Sequence, residues 1–379
     1  MKAIIIPDSF KGSMSSLQAS AAMERGLKSV FEKIDTVCLP VADGGEGTIE
    51  VFKSIGFGKT ITKQVTGPMG EKTKAQYILA DDGRAVIEMA QASGLALLRP
   101  GQRFPQRATT YGTGELILDA VKNGAKKILL AIGGSATNDG GTGMAQALGA
   151  SYKNAQGKEI GFGCESLKEL AAIDESGMLA HLQDVKIEVA CDVQNTLCGK
   201  EGASMVYGPQ KGADEQTAIE MDGFLNKLAE IILKKTGREM RSIPGTGAAG
   251  GTAVPLIAFA NAKIVSGIDA MLPYIEFEKH LIGADIILTG EGRIDDQTIY
   301  GKAVAGIAKA AKRKNVPVIA FAGILGKGYS KVFGIGVQSC FSIVPGIIST
   351  EEAMRDACDN LEGCVMRVAR LLQMFYERT

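Results

Sequence analysis

Residues 126–143 read KKILLAIGGSATNDGGTG. The apolar run from Ile128 to Ile132 is typical of a buried strand, and it ends abruptly in a segment with five glycines in eleven residues. Glycine lets backbone N–H groups come close to an anion, and a helix that begins behind the loop adds a favourable dipole. The stretch therefore predicts a strand, an anion-binding loop and a helix.

Other segments along the chain repeat this design, with acids, amides or hydroxyls among the glycines. The segment at 191–195 lacks glycine and fits least well. The segments are PDSFKGS (7–13), ADGGEGT (42–48), CDVQN (191–195), PGTGAAGG (244–251) and TGEGRIDDQTIYGK (289–302). Alternation of strands and helices predicts an α/β fold with a mostly parallel sheet, in which ligands bind beyond the carboxyl ends of the strands.

The secondary structure can be expected in outline from hydrophobic periodicity. A capping box at Ser15–Gln18 predicts the start of a helix, and residues 61–80 alternate apolar and polar side chains around a Gly-Pro turn, which favours antiparallel pairing. Expected strands are residues 2–6, 36–41, 285–288, 316–321 and 340–344, and expected later helices are residues 303–314 and one long helix over 350–376.

The chain length of 379 residues predicts two domains. Breaks near residues 58–60 and 261–266 suggest an inserted mixed α/β domain over 61–261. The segments 1–60 and 262–379 would then form one discontinuous α/β domain.

Charge and cysteine content exclude several classes of function. Lys+Arg and Asp+Glu both number 42, so a basic nucleic-acid surface and electrostatic membrane binding are not expected. Seven cysteines without a CxxC motif, and only two histidines, do not form a zinc pattern and favour a reduced compartment. The apolar N-terminal run is too short for a signal peptide. We expect a cytoplasmic protein with a small-molecule substrate, either monomeric or a homodimer.

Carboxylates placed among backbone N–H groups suggest a cation between them and bound phosphates. Mg²⁺ takes one or two carboxylates together with phosphate oxygens. The combination predicts binding of ATP with Mg²⁺, and phosphoryl transfer as the reaction. Asp192, after an apolar strand, and Asp43 are the expected metal ligands.

Three residues are expected to act in catalysis. Lys11 would neutralise the transferring phosphoryl group, and Asp192 or Asp295 would accept the proton of a substrate hydroxyl. Arg293 would bind a substrate carboxylate with both ends of its guanidinium group. Lys11 and Arg293 could instead be surface charges, and Asp192 an N-cap.

The remaining expected binding residues lie in the same glycine-rich loops. Asp8, Asp43 and Glu291 are candidates for metal or hydroxyl contacts, although the first two also suit N-caps or turns. The expected substrate- and nucleotide-binding residues are Asp8, Ser9, Asp43, Gly44, Gly45, Glu46, Gly134, Ser135, Asn138, Asp139, Gly247, Gly290, Glu291, Gly292 and Arg293.

Familiar nucleotide motifs fit this chain poorly. Gly245, Gly247 and Gly250 match G-x-G-x-x-G, but no convincing strand precedes them, so a dinucleotide fingerprint is weak. GFGKT at 56–60 lacks the first glycine of a P-loop, since position 53 is Lys.

Cys191 precedes an aspartate but has no neighbouring histidine in sequence, so we expect a buried cysteine without a catalytic role.

Taken together and in order, PDSFKGS, PVADGGEGT, GGSATNDGGTG, GPQKGA, GTGAAGG and LTGEGRID resemble the glycerate kinase type 1 family nearly end to end. The resemblance implies an ATP- and Mg²⁺-dependent kinase acting on D-glycerate, with 2-phosphoglycerate as the expected product and 3-phosphoglycerate as the alternative. It also implies two α/β domains, one Rossmann-like and one of mixed α/β type, with the active site in the cleft between them.

One loop departs from the family pattern. The family usually reads D-V-D-N-P-L where this chain has DVQNTL at residues 192–197, so a second acid and a proline are missing. Two rival functions stay open from the sequence: a nicotinamide-dependent oxidoreductase acting on a hydroxy acid, and a non-catalytic binding protein for phosphorylated metabolites.

Overall fold

The computed structural model describes residues 1–41, 44–45 and 47–376. The expected site residues Asp43 and Glu46 therefore lie outside the described residues. The chain divides into two compact units, one formed by residues 1–43 and 266–379 and the other by residues 44–265. Residues 44–60 were expected in the discontinuous domain, but by their contacts they belong to the second unit. The domain boundaries 60/61 and 261/262 stay a prediction.

The strands of the described chain form a five-stranded sheet, a six-stranded sheet and a separate two-stranded sheet. They are β1 (Lys2–Ile5), β2 (Asp35–Cys38), β3 (Lys59–Thr66), β4 (Lys72–Leu79), β5 (Arg84–Glu88), β6 (Lys127–Ala131), β7 (Ser151–Asn154), β8 (Leu170–Asp174), β9 (Lys186–Ala190), β10 (Lys263–Val265), β11 (Ile286–Ile294), β12 (Val318–Leu325) and β13 (Val337–Ser342).

Helices of very different length connect these strands. They are α1 (Ser16–Lys28), α2 (Thr48–Ser54), α3 (Ala90–Ser93), α4 (Tyr111–Lys122), α5 (Thr142–Ala147), α6 (Ser176–Leu182), α7 (Ala203–Tyr207), α8 (Glu215–Thr236), α9 (Val254–Ala260), α10 (Gly267–Met271), α11 (Phe277–His280), α12 (Ala303–Lys312), α13 (Thr350–Arg355) and α14 (Ala357–Tyr376). Short 3₁₀ segments are Leu95–Leu97, Pro100–Gln102, Cys164–Glu169, Pro209–Lys211, Ala248–Gly250, Thr298–Tyr300 and Tyr329–Ile335.

The first unit contains a parallel five-stranded sheet in the order β13-β12-β11-β1-β2. Read from β2, the second, first, third, fourth and fifth strands of the unit follow one another, which is the flavodoxin-type order of doubly wound sheets. In such sheets the strand order reverses between the first and third strands, here β1 and β11. Ligands bind in the crevice that this reversal opens at the carboxyl ends.

Apolar burial explains how the helices of the first unit attach to its sheet. Ala3, Ile5 and Leu288 share one buried cluster with residues of α1 and α14. The two helices approach closely, since a Cβ added at Gly26 would lie 2.6 Å from the carbonyl oxygen of Glu362. The expected Ser15–Gln18 capping box is present at the start of α1.

The second unit is built on a mixed six-stranded sheet in the order β10-β9-β6-β5-β4-β3. β10, β9, β6 and β5 are parallel, whereas β3, β4 and β5 pair antiparallel, as the alternation over residues 61–80 predicts. The predicted α/β class with a mostly parallel sheet is confirmed.

Several expected element boundaries are wrong: for example, β2 ends at Cys38 and not at residue 41, and β12 ends at Leu325 and not at residue 321. β11 does not end at Leu288 but continues through the glycine-rich TGEGRI segment, because β12 pairs with it as far as Leu325. The expected single closing helix is divided at Asp356, whose φ of −98° and ψ of 18° separate α13 from α14. Over the described part of the chain, no helix is both long and apolar enough to cross a membrane.

Candidate active site

In the first unit, the loop after β1 lies along the glycine-rich end of β11. The Asp8 amide donates a 2.9 Å hydrogen bond to the Gly290 carbonyl oxygen. A Cβ added at Gly290 would lie 2.5 Å from the Phe321 carbonyl oxygen and 3.1 Å from the Phe10 ring, whereas one at Gly292 would make an ordinary contact with the Lys11 nitrogen at 3.4 Å. Gly290 therefore leaves room for the neighbouring strand and for Phe10 of the loop. The loop and β11 meet where the strand order reverses, which is the position expected for a ligand in this topology.

The PDSFK loop itself contributes one buried acid and one exposed base. Asp8 is buried, and its Oδ1 accepts a 2.7 Å hydrogen bond from the Ser9 amide. Lys11 is exposed, with its backbone close to Gly292. The structure thus brings the loop that carries Asp8, Ser9 and Lys11 to the glycine-rich end of β11.

Glu291 is the buried acid of this end of β11, with 6% of its surface exposed. Its Oε1 accepts a 2.8 Å hydrogen bond from the Thr298 hydroxyl, and its Oε2 lies 3.6 Å from the Lys302 ammonium group. Burial raises the pKa of Glu291, while Lys302 and Thr298 oppose that rise. Glu291 is thereby held by protein groups and fixes the position of Lys302.

Arg293 and Asp295 form a second polar pair at the end of the same strand. Arg293 Nε donates a 3.0 Å hydrogen bond to Asp295 Oδ2, and the Gln297 amide donates to Asp295 Oδ1. The Arg293 side chain is 59% exposed. Because only Nε is used in the described contacts, both terminal amino groups of the guanidinium can bind a carboxylate.

In the second unit, three segments converge on the loop after β6. The Gly133 amide donates to the Gly44 carbonyl oxygen at 3.0 Å, and the Leu95 amide donates to the Gly134 carbonyl oxygen at 2.8 Å. A Cβ at Gly133 would clash with Gly45 Cα. Gly44 and Gly45 therefore lie against the start of the GGSATNDGGTG loop, and small residues are required where the two backbones touch.

Asp139 is completely buried inside this loop. It accepts hydrogen bonds from the Thr110 amide and hydroxyl at 2.8 and 2.9 Å, and from the amides of Gly141 and Gly143 at 3.1 and 3.2 Å. Burial raises the pKa of Asp139, and these four hydrogen bonds oppose the rise. Its contacts are those of a residue that holds the loop and the starts of α4 and α5 together.

Asn138 and Ser135 have different surroundings on the same loop. Asn138 is fully buried and its Nδ2 donates a 2.9 Å hydrogen bond to Ser204 Oγ. Ser135 is 7% exposed, and its hydroxyl oxygen accepts a 2.9 Å hydrogen bond from the buried Lys211 ammonium group. Both expected ligand donors are buried, and of the two Ser135 has the larger exposed fraction.

The PGTGAAGG segment is hydrogen-bonded to the CDVQN loop. The amides of Gly245 and Gly247 both donate to the Asn195 carbonyl oxygen, at 3.1 and 2.9 Å. No strand directly precedes this segment, as expected from its sequence.

Asp192 is half-buried at the carboxyl end of β9. Cys191 beside it is buried, and burial raises its pKa to about 11, which leaves the thiol unreactive.

Several residues of the site were missed by sequence reasoning. Glu88, buried at the end of β5, accepts hydrogen bonds from the Gly47 and Ile49 amides and so caps α2 behind the ADGGEGT loop. The acid that ends the apolar run AVIE was its only signal. Lys211 lies beside a glycine in GPQKGA, and Lys302 lies beside a glycine in TGEGRIDDQTIYGK. Nothing in the sequence shows which acid or hydroxyl these lysines contact.

A metal must be considered with this set of acids. Over residues 1–41, 44–45 and 47–376, no three His, Cys, Asp or Glu side chains come together as a metal-binding group. Mg²⁺ held largely by phosphate oxygens does not require such a group, because one or two carboxylates suffice. Asp192, half-buried at the carboxyl end of β9 in the second unit, has the carboxylate oxygens that this ion prefers. Asp43, the other expected ligand, is outside the described residues.

Comparison with known proteins agrees on one family over nearly the whole chain. The model of the glycerate kinase family matches residues 3–373. A protein named glycerate kinase from Halalkalibacterium halodurans is 49% identical over 367 residues, which cover 97% of each chain. A protein named glycerate 2-kinase from Escherichia coli K12 is 46% identical over 373 residues, which cover 98% of each chain.

The fold has a counterpart among solved structures. A crystal structure of a protein from Salmonella typhimurium LT2, provisionally described as glycerate kinase 2, superposes with a TM-score of 0.85 at 43% identity. The match covers 100% of this chain and 99% of the other. The sequence-level resemblance to the family is therefore confirmed at the level of both sequence and fold.

Proposed function

This chain is an enzyme of the glycerate kinase family, and we propose that it transfers the γ-phosphoryl group of ATP to a hydroxyl of D-glycerate in a Mg²⁺-dependent reaction. We further propose that the 2-hydroxyl is the acceptor, so that 2-phospho-D-glycerate is the product. The relative named glycerate 2-kinase supports this choice of hydroxyl, and 3-phosphoglycerate is the alternative product.

The observation that carries the proposal is the group of charged residues at the carboxyl end of β11. Arg293, Asp295, Lys302 and the buried Glu291 lie together there, and Asp8 follows β1 at the neighbouring strand end. Cations and acids at a topological switch point suit a small anionic substrate and a transferring phosphoryl group.

Arg293 is the residue best suited to the carboxylate of glycerate. Its Nε is bonded to Asp295 Oδ2, which fixes the plane of the guanidinium group and leaves the two terminal amino groups for a bidentate contact. Asp295 thus orients Arg293, in addition to being a candidate for the base that accepts the hydroxyl proton.

Two acids are candidates for the base that accepts the proton of the glycerate hydroxyl. Asp295 accepts two hydrogen bonds from protein donors, one from Arg293 Nε to Oδ2 and one from the Gln297 amide to Oδ1. Asp192 ends β9 in a half-buried position. Asn at the true base should lower kcat by about 10²- to 10⁴-fold, whereas Asn at the other position should have the smaller effect.

Lys11 is proposed to stabilise charge on the transferring phosphoryl group, since its exposed side chain leaves a loop fixed against Gly292. Asp192, an expected metal ligand, would hold Mg²⁺ through its carboxylate oxygens. When bound, Mg²⁺ neutralises negative charge on the phosphates of ATP. The chain's own contribution is to fix the reactants and exclude water, because such transfers depend on positioning and electrostatics.

Release of ADP by the purified protein tests the activity. We expect ADP formation that requires D-glycerate and stops when EDTA removes the divalent cation. Controls omit the acceptor or replace it with L-glycerate. ADP release that is independent of D-glycerate would overturn the proposal, and oxidation of NADH with hydroxypyruvate in the same preparation would favour the oxidoreductase instead.

A further inference from the structure

Lys211 is a buried amine that the proposed reaction does not use. It ends the 3₁₀ segment Pro209–Lys211 in the GPQKGA motif, and only 2% of its surface is exposed. Its Nζ donates a 2.9 Å hydrogen bond to Ser135 Oγ and a 2.6 Å hydrogen bond to the Thr137 carbonyl oxygen. The side chain therefore reaches from another part of the second unit to the underside of the glycine-rich loop.

Burying this amine is costly. Lysine is almost never fully buried unless it is paired, and the hydrogen-bond partners of the Lys211 amine, Ser135 Oγ and the Thr137 carbonyl oxygen, are both neutral. Burial lowers the pKa of Lys211 to about 7, although the charge of Asp139 opposes the change. A packing role alone would be filled at lower cost by methionine or leucine, so the amine is placed there for its hydrogen bonds.

The contact with Lys211 determines what Ser135 can do. Because Ser135 Oγ accepts a hydrogen bond from Lys211, its own proton must point away from the amine. Among the described residues, Ser135 Oγ has no further partner. The adjacent backbone is fixed, since the Ala136 amide donates to the Ser93 carbonyl oxygen at 2.9 Å. Ser135 is buried, with 7% of its surface exposed, so a ligand at this loop would meet a hydroxyl whose proton is not already donated within the described residues.

We propose that Lys211 is a positioning residue that holds Ser135 with its hydroxyl proton directed at an anionic oxygen of a bound substrate. The anionic group is a phosphate of ATP or the carboxylate of glycerate, which share the chemistry that a polarised hydroxyl recognises. This inference rests on the proposed function for the identity of the two anions. The contacts of Lys211 and Ser135 stand independently of it.

The first test compares Lys211→Met with the matched control Lys158→Met, which removes an exposed lysine from the same unit. Apparent KM is measured separately for ATP and for D-glycerate. We expect Lys211→Met to raise KM for one of the two by on the order of tenfold to a hundredfold, with a smaller change in kcat, because the hydrogen-bond donor that orients Ser135 is lost. The substrate whose KM rises identifies the bound anion.

A double-mutant cycle with Ser135→Ala tests whether the two residues act together. If Lys211 acts through Ser135, the double variant should bind the affected substrate no more weakly than the weaker single variant. Additive effects, or an unchanged KM for both substrates in folded Lys211→Met, would overturn the proposal. An equal rise in Lys158→Met would overturn it as well, because the effect would then come from net charge.

Calorimetry separates this inference from the proposed function, since ATP with Mg²⁺, D-glycerate and inorganic phosphate can each be titrated without turnover. If wild-type protein is inactive, but the Lys211→Met substitution still lowers its affinity for ATP or phosphate, the positioning role is supported and the kinase assignment is contradicted.

If Lys211→Met does not fold, wild type and Ser135→Ala are titrated with the same ligands between pH 6 and 9. Asp139 and Cys164 are the ionisable groups whose charges act on Lys211. The titration of the ligand itself is common to both proteins, so a weaker pH dependence in Ser135→Ala than in wild type is expected, and identical dependences would refute the proposal.

Discussion

Asp139 and Thr110 are joined by two hydrogen bonds, in which the amide and the hydroxyl of Thr110 both donate to Asp139 Oδ2, at 2.8 and 2.9 Å. The Thr110 hydroxyl oxygen in turn accepts a 2.8 Å hydrogen bond from the Met144 amide. The acid therefore connects the start of α4, the glycine-rich loop and the start of α5.

Asp139→Ala should destabilise the protein strongly. The change leaves buried donors on Thr110, Gly141 and Gly143 without an acceptor, each at a cost of about 1–3 kcal/mol, so a loss of roughly 3 kcal/mol or more is expected. Urea denaturation followed by circular dichroism measures it. The exposed Asp184→Ala serves as the control and should change little. Wild-type stability in Asp139→Ala combined with lost substrate binding would show instead that Asp139 contacts the ligand.

Lys211 should make stability depend on pH. Its pKa falls from 10.5 to about 7 in the folded protein, so between these values the unfolded chain binds a proton that the folded chain does not. Stability relative to Lys211→Met should therefore rise with pH, by a few kcal/mol at most from pH 7 to about pH 10. Melting temperatures of both proteins at pH 7, 8.5 and 10 measure the difference. A difference that stays constant across this range would contradict the lowered pKa.

Arg293→Lys should weaken binding of D-glycerate specifically. Lysine keeps the charge but loses the fork that contacts a carboxylate with two N–H groups, so KM for D-glycerate should rise by about tenfold or more. KM for ATP should be unaffected. The exposed Arg370→Lys is the matched control in the same unit. If KM for ATP rises and that for D-glycerate does not, Arg293 binds phosphate.

Two glycine substitutions should have opposite effects. Gly133→Ala places a methyl group against Gly45 Cα and should cost about 1–3 kcal/mol and most of the activity, because the two loops are forced apart. Gly223→Ala lies on the exposed face of α8 with open space around it and should stabilise by about 0.5–1 kcal/mol. Thermal melts and ADP release measure both, and an active, stable Gly133→Ala enzyme would show that the loops need not touch.

The sequence predicts the general fold because its cues are local. The capping box at Ser15–Gln18 and the antiparallel alternation over 61–80 depend on neighbouring residues, and both are present. The extension of β11 to Ile294 could not be read from TGEGRI, since glycine-rich segments have low strand propensity and only the partner strand β12 decides their pairing.

The candidate site could be predicted as a set of loops but not as a set of roles. Asp139 and Arg293 look equivalent in sequence, as charges in glycine-rich segments, yet the first is buried under four hydrogen bonds and the second is exposed. Lys211 was missed for the same reason, because its partner Ser135 lies 76 residues away. Contacts over such distances depend on the tertiary fold, which periodicity and spacing do not report.

Phosphorus NMR of the purified protein with ATP, Mg²⁺ and D-glycerate tests the central claim most directly, because the two phosphoglycerates have distinct shifts and proton couplings. We predict a signal of 2-phosphoglycerate that grows with ADP and is absent without Mg²⁺. A signal of 3-phosphoglycerate would keep the kinase and contradict the choice of hydroxyl. Folded protein that forms no phosphoester from fresh ATP would contradict the proposed function itself.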